Sequence, residues 1–379
     1  MERFFEFFPY DGVYPEIYFT SGSTVHQAWE EICLLRHSQQ HALGTPVNTM
    51  CADTAPLIDQ ARSYFLTAVG AEWRAGALVY YYSLLNLAKA LLGIKGQLTF
   101  QNLKGNLIQH GLNMKPQPSS DILDLVFTVH PPRNGSGDPN NVFALLYETI
   151  THETWPFSDT INVTLSQFVG YCLDVGKTLA SIYQEQPRAI TVESLGRCDG
   201  TNVWFEMRVP SGFEGDITKV VPLTWAITPS QTADVETKEA WFSAFHVPTF
   251  SFENMSVLRC GHRLIGREAY ETVKNGLKRE ITNAFKGQTE VFVFDDGHRW
   301  LYVPRIELNG QKMLWHPLLS DYLFAFVLGS VVRYQPFLVI PGTKSYALGE
   351  SWCRQAPSTA LRYFLMRLTI PPVRIKSIA

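Results

Sequence analysis

Residues 77–96, ALVYYYSLLNLAKALLGIKG, decide the fold that this chain is expected to adopt. Apolar and small side chains recur there at the helical spacing of about 3.6 residues, and they comprise Ala77, Tyr80, Tyr81, Leu84, Leu85, Ala88, Leu91 and Leu92. Apart from tyrosine hydroxyls near the start, the main polar groups are Asn86 and Lys89. The pattern therefore predicts a buried helix, which Gly93 and Gly96 end because glycine readily adopts the left-handed conformation of helix C-termini.

Helical patterns also flank this stretch, and they predict further helices at 21–43, 54–69, 141–150, 160–185, 318–332 and 357–369. We expect the first to end at Gly44-Thr45-Pro46, and the second to hold Pro56 in its first turn, where proline is tolerated. Residues 115–140 are rich in proline and include the polar run RNGSGDPNN, which predicts a long loop or an exposed tip.

The periodicity changes after Pro187. Residues 189–195 and 202–209 alternate between apolar and polar side chains, as half-buried strands do. Within residues 290–316 the runs EVFVF, HRWLYVPRIEL and QKMLWH are joined by Asp296-Gly297 and Asn309-Gly310, dipeptides that favour tight hairpin turns. This predicts a β-meander.

The predicted elements define an α+β fold that is predominantly α-helical. We expect three regions: an N-terminal helical region at 1–186, a β-containing region at 187–316, and C-terminal helices at 317–379. The C-terminal helices are expected to pack on the N-terminal region, which makes the β-containing region an insertion into a helical bundle.

Composition narrows the function classes. The chain has 379 residues, 46% of them hydrophobic, and a net charge of −3, so no global charge signal for nucleic acid is present. The six cysteines form no Cys-x-x-Cys pair, which argues against a zinc ribbon or a disulfide framework. The longest apolar run, 322–341, is interrupted by Arg333 and Pro336, so it is too short to span a membrane. We expect a cytoplasmic protein with no membrane segment, metal or cofactor.

Three motifs carry a resemblance to a known family. The helix AxxYYYSLLNLAKALL resembles the central helix of the YaaC-like bacterial proteins and the wider HEPN pattern. The stretch from Leu103-Lys104 to His110-Gly111-Leu112 resembles the segment that follows this helix in the family, and Arg333-Tyr334-Gln335-Pro336 resembles its Arg-Tyr-x-Pro helix end. The resemblance covers residues 50–115 and, loosely, 318–370. It implies a HEPN-like helical core, but the family has no settled activity.

The HEPN resemblance implies a catalytic motif at Arg36-His37-Ser38-Gln39-Gln40-His41. HEPN ribonucleases are similar to one another in an Arg-polar-x-x-x-His motif, in which arginine holds the scissile phosphate and histidine transfers protons. Arg36 would hold the phosphate, His41 would be the general acid/base, and His37 would position the pair. The competing interpretation is the solvated end of an amphipathic helix, and the motif precedes the core helix although it usually follows it. His37 and His41 lie one helical turn apart, but without an adjacent glutamate they do not make the zinc motif.

Two further groups are candidates for RNA binding. Lys104 and His110 follow the recognised helix, near the usual place of a HEPN site, and the alternative is packing between loop and helix. Arg259, Arg263 and Arg267 recur every four residues, so on a helix they would share a face that contacts phosphates. Neighbouring glutamates equally suit an ordinary salt-bridged helix.

These observations predict an RNA-binding protein that acts as a metal-independent endoribonuclease. The resemblance adds the context of toxin–antitoxin pairs, stress responses and phage defence. Because two HEPN motifs usually meet across a dimer, a single copy implies a homo-oligomer or a subunit of a complex. The alternative is a non-catalytic scaffold that binds a partner protein through aromatic surfaces.

Overall fold

The computed structural model describes residues 3–5, 25, 26, 28–30, 32, 45–104, 108–185, 187–198, 202–210, 228–230, 255–264, 289–293 and 299–369. The chain divides into two compact units. One consists of Met1–Gly22 with Ala189–Trp315, and the other of Ser23–Arg188 with His316–Ala379. This division places residues 1–22 with the β-containing unit, where strand β1 (Arg3–Phe5) pairs with a strand of the main sheet.

The second unit is built on a helical core. Its helices are α1 (Thr45–Val69), α2 (Trp73–Ile94), α3 (Phe100–Lys104), α4 (Val142–Thr151), α5 (Pro317–Tyr334) and α6 (Lys344–Thr369). Helix α2 lies at the centre and packs against α1, α4, α5 and α6. Together with the small antiparallel sheets, these helices confirm the predicted α+β, predominantly helical fold.

The predicted buried helix is confirmed as α2, which begins at Trp73. Glu72 caps its start, because its side chain accepts a hydrogen bond from the Arg74 amide at 3.1 Å. At its end the Lys95 amide donates to the Leu91 carbonyl, and Gly96 follows at a φ of 74°. Its buried positions span most of its circumference, so α2 is a core helix surrounded by other elements.

Close approach between α2 and α5 depends on Gly329. A Cβ atom at this position would lie 3.3 Å from the Cα of Leu78, so a larger residue would force the helices apart. Beside this contact, the Tyr81 ring packs edge-on against Tyr322 and Phe326, with centroids 5.8 and 5.6 Å away. The tyrosine-rich start of α2 therefore forms an aromatic interface with α5.

The second predicted helix begins earlier than its pattern indicates. Described residues between 25 and 32 are helical, and Ala28, Trp29 and Ile32 are buried as their spacing predicts. However, α1 begins at Thr45, so Pro46 lies in a first turn and Pro56 lies inside the helix. An interior proline removes a backbone hydrogen bond at a cost of about 3 kcal/mol, which burial of neighbouring apolar side chains must offset. These side chains are Ala55, Ile58, Ala61 and Phe65.

The predicted helix at 160–185 is wrong, and the predicted loop at 115–140 contains a strand. Strands β2 (Leu112–Asn113), β3 (Val126–Val129) and β4 (Ile161–Thr164) form an antiparallel sheet. Short apolar runs do not distinguish strand from helix, and β-branched residues favour the strand here. After β4 the chain makes successive short helical turns, at Leu165–Gln167, Val169–Tyr171, Leu173–Val175, Gly176–Thr178 and Leu179–Tyr183.

The first unit contains the main sheet. Its strands are β5 (Ile190–Cys198), β6 (Asn202–Pro210), β7 (Thr228–Ser230), β8 (Met255–Leu264), β9 (Thr289–Val293) and β10 (Arg299–Pro304). They follow the order β7-β8-β6-β5-β10-β9, and β1 pairs with β5.

The predicted β-meander is present as two separate pairings. Strand β10 pairs with β9 and also with β5, whereas β11 (Ile306–Leu308) and β12 (Gln311–Met313) form their own hairpin. Asn309 and Gly310 have φ values of 47° and 78° at its turn, as the sequence predicts. The other predicted turn, Asp296-Gly297, lies outside the described residues.

Helix α2 is long and apolar enough to cross a membrane by length and composition. Within the part of the chain that the structure describes, it is the one helix that meets this test. In its most apolar window, 67% is buried inside the protein, which is also typical of a core helix.

A buried histidine caps α5. His316 is 0% exposed, and its Nδ1 accepts a hydrogen bond from the Leu318 amide at 3.0 Å. Burial, and then the nearby Arg367, hold its pKa well below the usual range. The folded unit therefore keeps this imidazole neutral under conditions in which the unfolded chain protonates it.

Replacing His316 by asparagine is expected to remove a pH dependence of stability. The folded pKa is depressed, so wild-type stability falls as the pH drops below about 6.5, by about 1.4 kcal/mol per pH unit from this group. Asparagine retains an N-cap acceptor but does not titrate. Urea denaturation at several pH values below 7 tests this through the slope, with His26→Asn at an exposed site as the control. Equal slopes in wild type and His316→Asn would contradict the prediction.

Candidate functional site

All three predicted catalytic residues and one predicted RNA-binding residue lie outside the described part of the chain. Arg36, His37, His41 and Arg267 fall there, so their roles stay predictions. Lys104 is the last residue of α3, and only its backbone is described.

The structure corrects the helical argument for the arginines. Arg259 and Arg263 lie in strand β8, not on a helix, so a spacing of four does not place them on one helical face. Arg259 stands opposite Glu206, Arg263 stands opposite Val203, and the register shifts between these two pairs. Binding of RNA by these arginines stays a prediction, without the support of a helical stripe.

The remaining candidate, His110, is placed by the sheet of the helical unit. Leu112 of β2 pairs with Val129 of β3, and the His130 amide donates to the Gly111 carbonyl at 2.9 Å. Gly111 has a φ of 79°, and a Cβ there would lie 2.8 Å from the Asn141 Cβ, so the turn requires glycine. This pairing brings two histidines together that are twenty residues apart in sequence.

The N-terminus of α4 holds the backbone of this segment. The amide of Val142 donates to the Gln109 carbonyl at 2.9 Å, and the amide of Phe143 donates to the His110 carbonyl at 3.3 Å. The first amides of a helix have no partner within the helix, and here the loop supplies it. His110 is therefore held by both a sheet and a helix end.

The imidazole of His110 has a defined orientation. Its Nδ1 accepts a hydrogen bond from the Leu112 amide at 3.3 Å. Its ring centroid lies 5.7 Å from that of Phe326 and 6.4 Å from that of Tyr81, yet the residue is exposed to solvent. With Nδ1 as acceptor, the neutral ring carries its proton on Nε2, which makes His110 a hydrogen-bond donor to a ligand.

Two further basic groups act on His110. Partial burial, then Lys89, then His130 lower the pKa of His110, and the Leu112 hydrogen bond partly opposes this. Lys89 comes from α2, is half-buried, and has its own pKa lowered by burial. The site thus combines a neutral imidazole with a partly desolvated ammonium group.

His130 is the third basic residue of the site, beside His110 and Lys89. Its Nδ1 lies 3.0 Å from the Thr160 Oγ1, and it is half-buried. In the tautomer that donates Nδ1–H to this hydroxyl, Nε2 of His130 is a proton acceptor. Two imidazoles and an ammonium group within electrostatic range of one another suit recognition of an anion and proton transfer without a metal.

Sequence reasoning found His110 and missed its partners. Lys89 stands out in the sequence as a polar exception on an apolar helix, and that isolation is the signal that marks it. His130 gives no local signal, because only the pairing of β2 with β3 brings it to His110.

Replacing Lys89 by methionine is expected to raise the pKa of His110, because it removes the second-largest cause that lowers it. NMR titration of histidine ring signals measures this, and the signal lost in His110→Asn identifies the residue. Lys177→Met, at an exposed lysine of the same unit, is the control. A pKa of His110 that stays unchanged or falls in Lys89→Met would show that Lys89 does not act on this site.

No group of three or more histidine, cysteine, aspartate or glutamate residues that could hold a metal ion occurs among the residues that the structure describes.

The helical unit contains the three sequence motifs that resemble the YaaC-like proteins, in α2, at 103–112 and at 333–336. A family model described as "YaaC-like Protein" matches residues 17–352. The match covers most of the chain, including parts of both units and all the site residues above, so the protein belongs to the YaaC-like family. Comparison with curated proteins found no match, and comparison with solved structures found none either.

Proposed function

We propose that the protein binds RNA at the surface formed by Lys89, His110 and His130, and cleaves it without a metal ion. The observation that carries this proposal is that β2 and β3 hold the exposed His110 beside the half-buried His130, with the half-buried Lys89 of α2 within electrostatic range. The resemblance of α2 to the HEPN pattern supports it, since His110 follows this helix as HEPN site residues do.

The proposed chemistry is transfer of the phosphate to the 2′-hydroxyl. Nε2 of His130 takes the proton of the 2′-hydroxyl, whose oxygen attacks phosphorus, while the bond to the 5′-oxygen breaks and that oxygen takes a proton from water. Lys89 and the Nε2–H of His110 stabilise the charge on the phosphate oxygens. The products would be a 2′,3′-cyclic phosphate and a 5′-hydroxyl end.

The first experiment is incubation of single-stranded RNA with the purified full chain in EDTA. Cleavage to cyclic phosphate ends supports the proposal, and light scattering on the same sample tests the proposed self-association. Absence of both binding and cleavage would refute it. Loss of cleavage in Arg36→Ala and His41→Ala, with His110→Asn and His130→Asn fully active, would instead place the chemistry at 36–41.

A scaffold function is the second candidate, and exposed apolar side chains favour it. Leu66 and Val69 at the end of α1, and Phe337 after α5, are at least half exposed. Under this proposal the protein binds a partner protein and no RNA, which the same binding experiment distinguishes.

We also propose a cytoplasmic role in stress response, toxin–antitoxin action or phage defence. A ribonuclease of this kind would slow growth when it is overproduced in a bacterial host, and His130→Asn would relieve that effect. Equal growth inhibition by both proteins would argue against a role through RNA cleavage.

A further inference from the structure

The segment that follows α5 displays apolar side chains to solvent. Tyr334 is 53% exposed, Phe337 63% and Ile340 50%. We call these three residues the Tyr334 surface. Exposed apolar side chains that follow closely on one segment are typical of sites that contact a ligand or partner.

The backbone that carries the Tyr334 surface is held in place by a hydrogen bond and by buried side chains. Gln335 is 3% exposed, and its Nε2 donates to the Gln117 carbonyl at 2.7 Å. Pro336 then begins a short helical turn, Pro336–Val339, in which Leu338 and Val339 are buried. The buried residues alternate with the exposed ones, so the aromatic rings are presented from a fixed segment.

One cation contacts the Tyr334 surface, and two others lie on the segments that follow or anchor it. The Arg333 guanidinium lies 4.9 Å from the Tyr334 ring centroid. Lys344 follows Ile340 across a turn and lies over the Tyr183 ring at 5.3 Å. Lys115 is two residues from Gln117, the partner of the surface segment. Arg333, Lys344 and Lys115 make no ion pair with any residue in the described ranges.

Two carboxylates lie in the loop that holds Tyr183, and they offset part of this charge. The Asp121 carboxylate accepts hydrogen bonds from the Tyr183 hydroxyl at 2.9 and 3.0 Å and from the Leu123 amide at 2.9 Å. Asp124 is exposed in the same loop. Three cations against two carboxylates leave a net positive charge of one on these groups.

We propose that the Tyr334 surface is a stacking platform for unpaired RNA bases, with Arg333 contacting the backbone phosphates. Exposed aromatic rings bordered by cations are the features that bind single strands, since bases stack on the rings and phosphates meet the charges. Bases in a duplex are already stacked on each other and are not free for this contact. The inference rests on the proposed function and narrows its substrate to single-stranded RNA.

The test uses a probe that the protein cannot cleave. A fluorescein-labelled 2′-O-methyl oligouridylate of about ten nucleotides is titrated with full-length protein, and fluorescence anisotropy gives the affinity. Phe337→Ser is expected to weaken binding about 5- to 100-fold, because a stacked base contributes that much. Leu66→Ser, at another exposed apolar residue of the same unit, is expected to bind as wild type does. Unchanged affinity in Phe337→Ser would overturn the platform.

Arg333→Gln supplies a second readout. Loss of one phosphate contact is expected to reduce the slope of log affinity against log salt by about 0.7 for a single strand. Lys177→Gln, which alters an exposed lysine outside the Tyr334 surface, should leave the slope unchanged. An unchanged slope in Arg333→Gln would show that Arg333 contacts no phosphate.

The outcomes separate this inference from the proposed function. Wild-type protein that binds and cleaves RNA, with Phe337→Ser equally active, would overturn the platform alone. Wild-type protein that binds the probe through Phe337 but cleaves no RNA would support the platform and refute cleavage. A change of oligomeric state in Phe337→Ser, with unchanged RNA affinity, would make the surface a protein interface and overturn the platform.

Discussion

Replacing His130 by asparagine is expected to lower the rate of RNA cleavage in EDTA by about 10²- to 10⁴-fold, the usual contribution of general acid–base catalysis. The asparagine side chain can still bond to Thr160, but it cannot accept and release a proton near neutral pH. The rate of formation of cyclic phosphate ends measures the effect. Affinity for the uncleavable 2′-O-methyl probe should remain close to that of wild type, because His130 is proposed to act on the proton and not on the phosphate.

His26→Asn is the matched control, since it alters an exposed histidine on another helical segment of the same unit. Its cleavage rate should equal that of wild type. If His130→Asn also cleaves at the wild-type rate, His130 is not the base. A parallel loss of affinity for the probe would show that the substitution disturbs binding, and the assignment of proton transfer would fail.

Local sequence patterns predicted the elements whose signal is periodic and long. Helix α2 repeats apolar residues over more than five turns, and the turn at Asn309-Gly310 has the backbone conformation that those residues favour. Pro56 predicts a helix start because proline is tolerated in a first turn, but tertiary packing holds it inside α1. At 160–185, short apolar runs fitted a helix and a strand equally well.

Sequence patterns predicted only part of the candidate site. His110 was identified because it follows α2 in a recognised motif, but its partners reach it through long-range packing. Lys89 comes from α2 itself, and His130 arrives through the pairing of β2 with β3. Neither contact corresponds to a regular spacing of residues in the sequence, so local patterns cannot show that these groups lie near one another. The catalytic motif at 36–41 was also predicted from a local pattern, and it stays a prediction.

A buried carboxyl group in the helical unit, Asp321, is expected to have a large effect on the stability of the protein. Asp321 of α5 is 1% exposed, and its Oδ1 accepts a hydrogen bond from the Trp352 Nε1 at 3.3 Å. Burial and then the nearby Asp174 raise its pKa well above the usual range, while Trp352 and the Cys172 thiol act in the opposite direction. The folded protein therefore retains a proton that the unfolded chain releases above about pH 4.

This proton makes Asp321 a source of instability at neutral pH. Because the folded pKa of Asp321 is raised, this group lowers the free energy of unfolding by about 1.4 kcal/mol for each pH unit between its unfolded and its folded pKa. His316 has the opposite sign, since its depressed pKa costs stability as the pH falls below about 6.5. The two buried groups therefore limit the stable range from opposite sides.

Replacing Asp321 by asparagine is expected to stabilise the protein near pH 7, because the raised folded pKa costs stability at every pH above the unfolded pKa of about 4. The amide oxygen can still accept from Trp352, and the amide has no ionisation to lose. Urea denaturation measured at several pH values between about 5 and 8 should show a wild-type free energy of unfolding that declines relative to the variant as the pH rises. Asp159→Asn is the control, because this exposed side chain accepts from Ser158 and an amide oxygen can replace it. If Asp321→Asn is instead less stable than wild type at every pH, Asp321 is ionised in the folded protein and is held by an interaction that only a carboxylate can make.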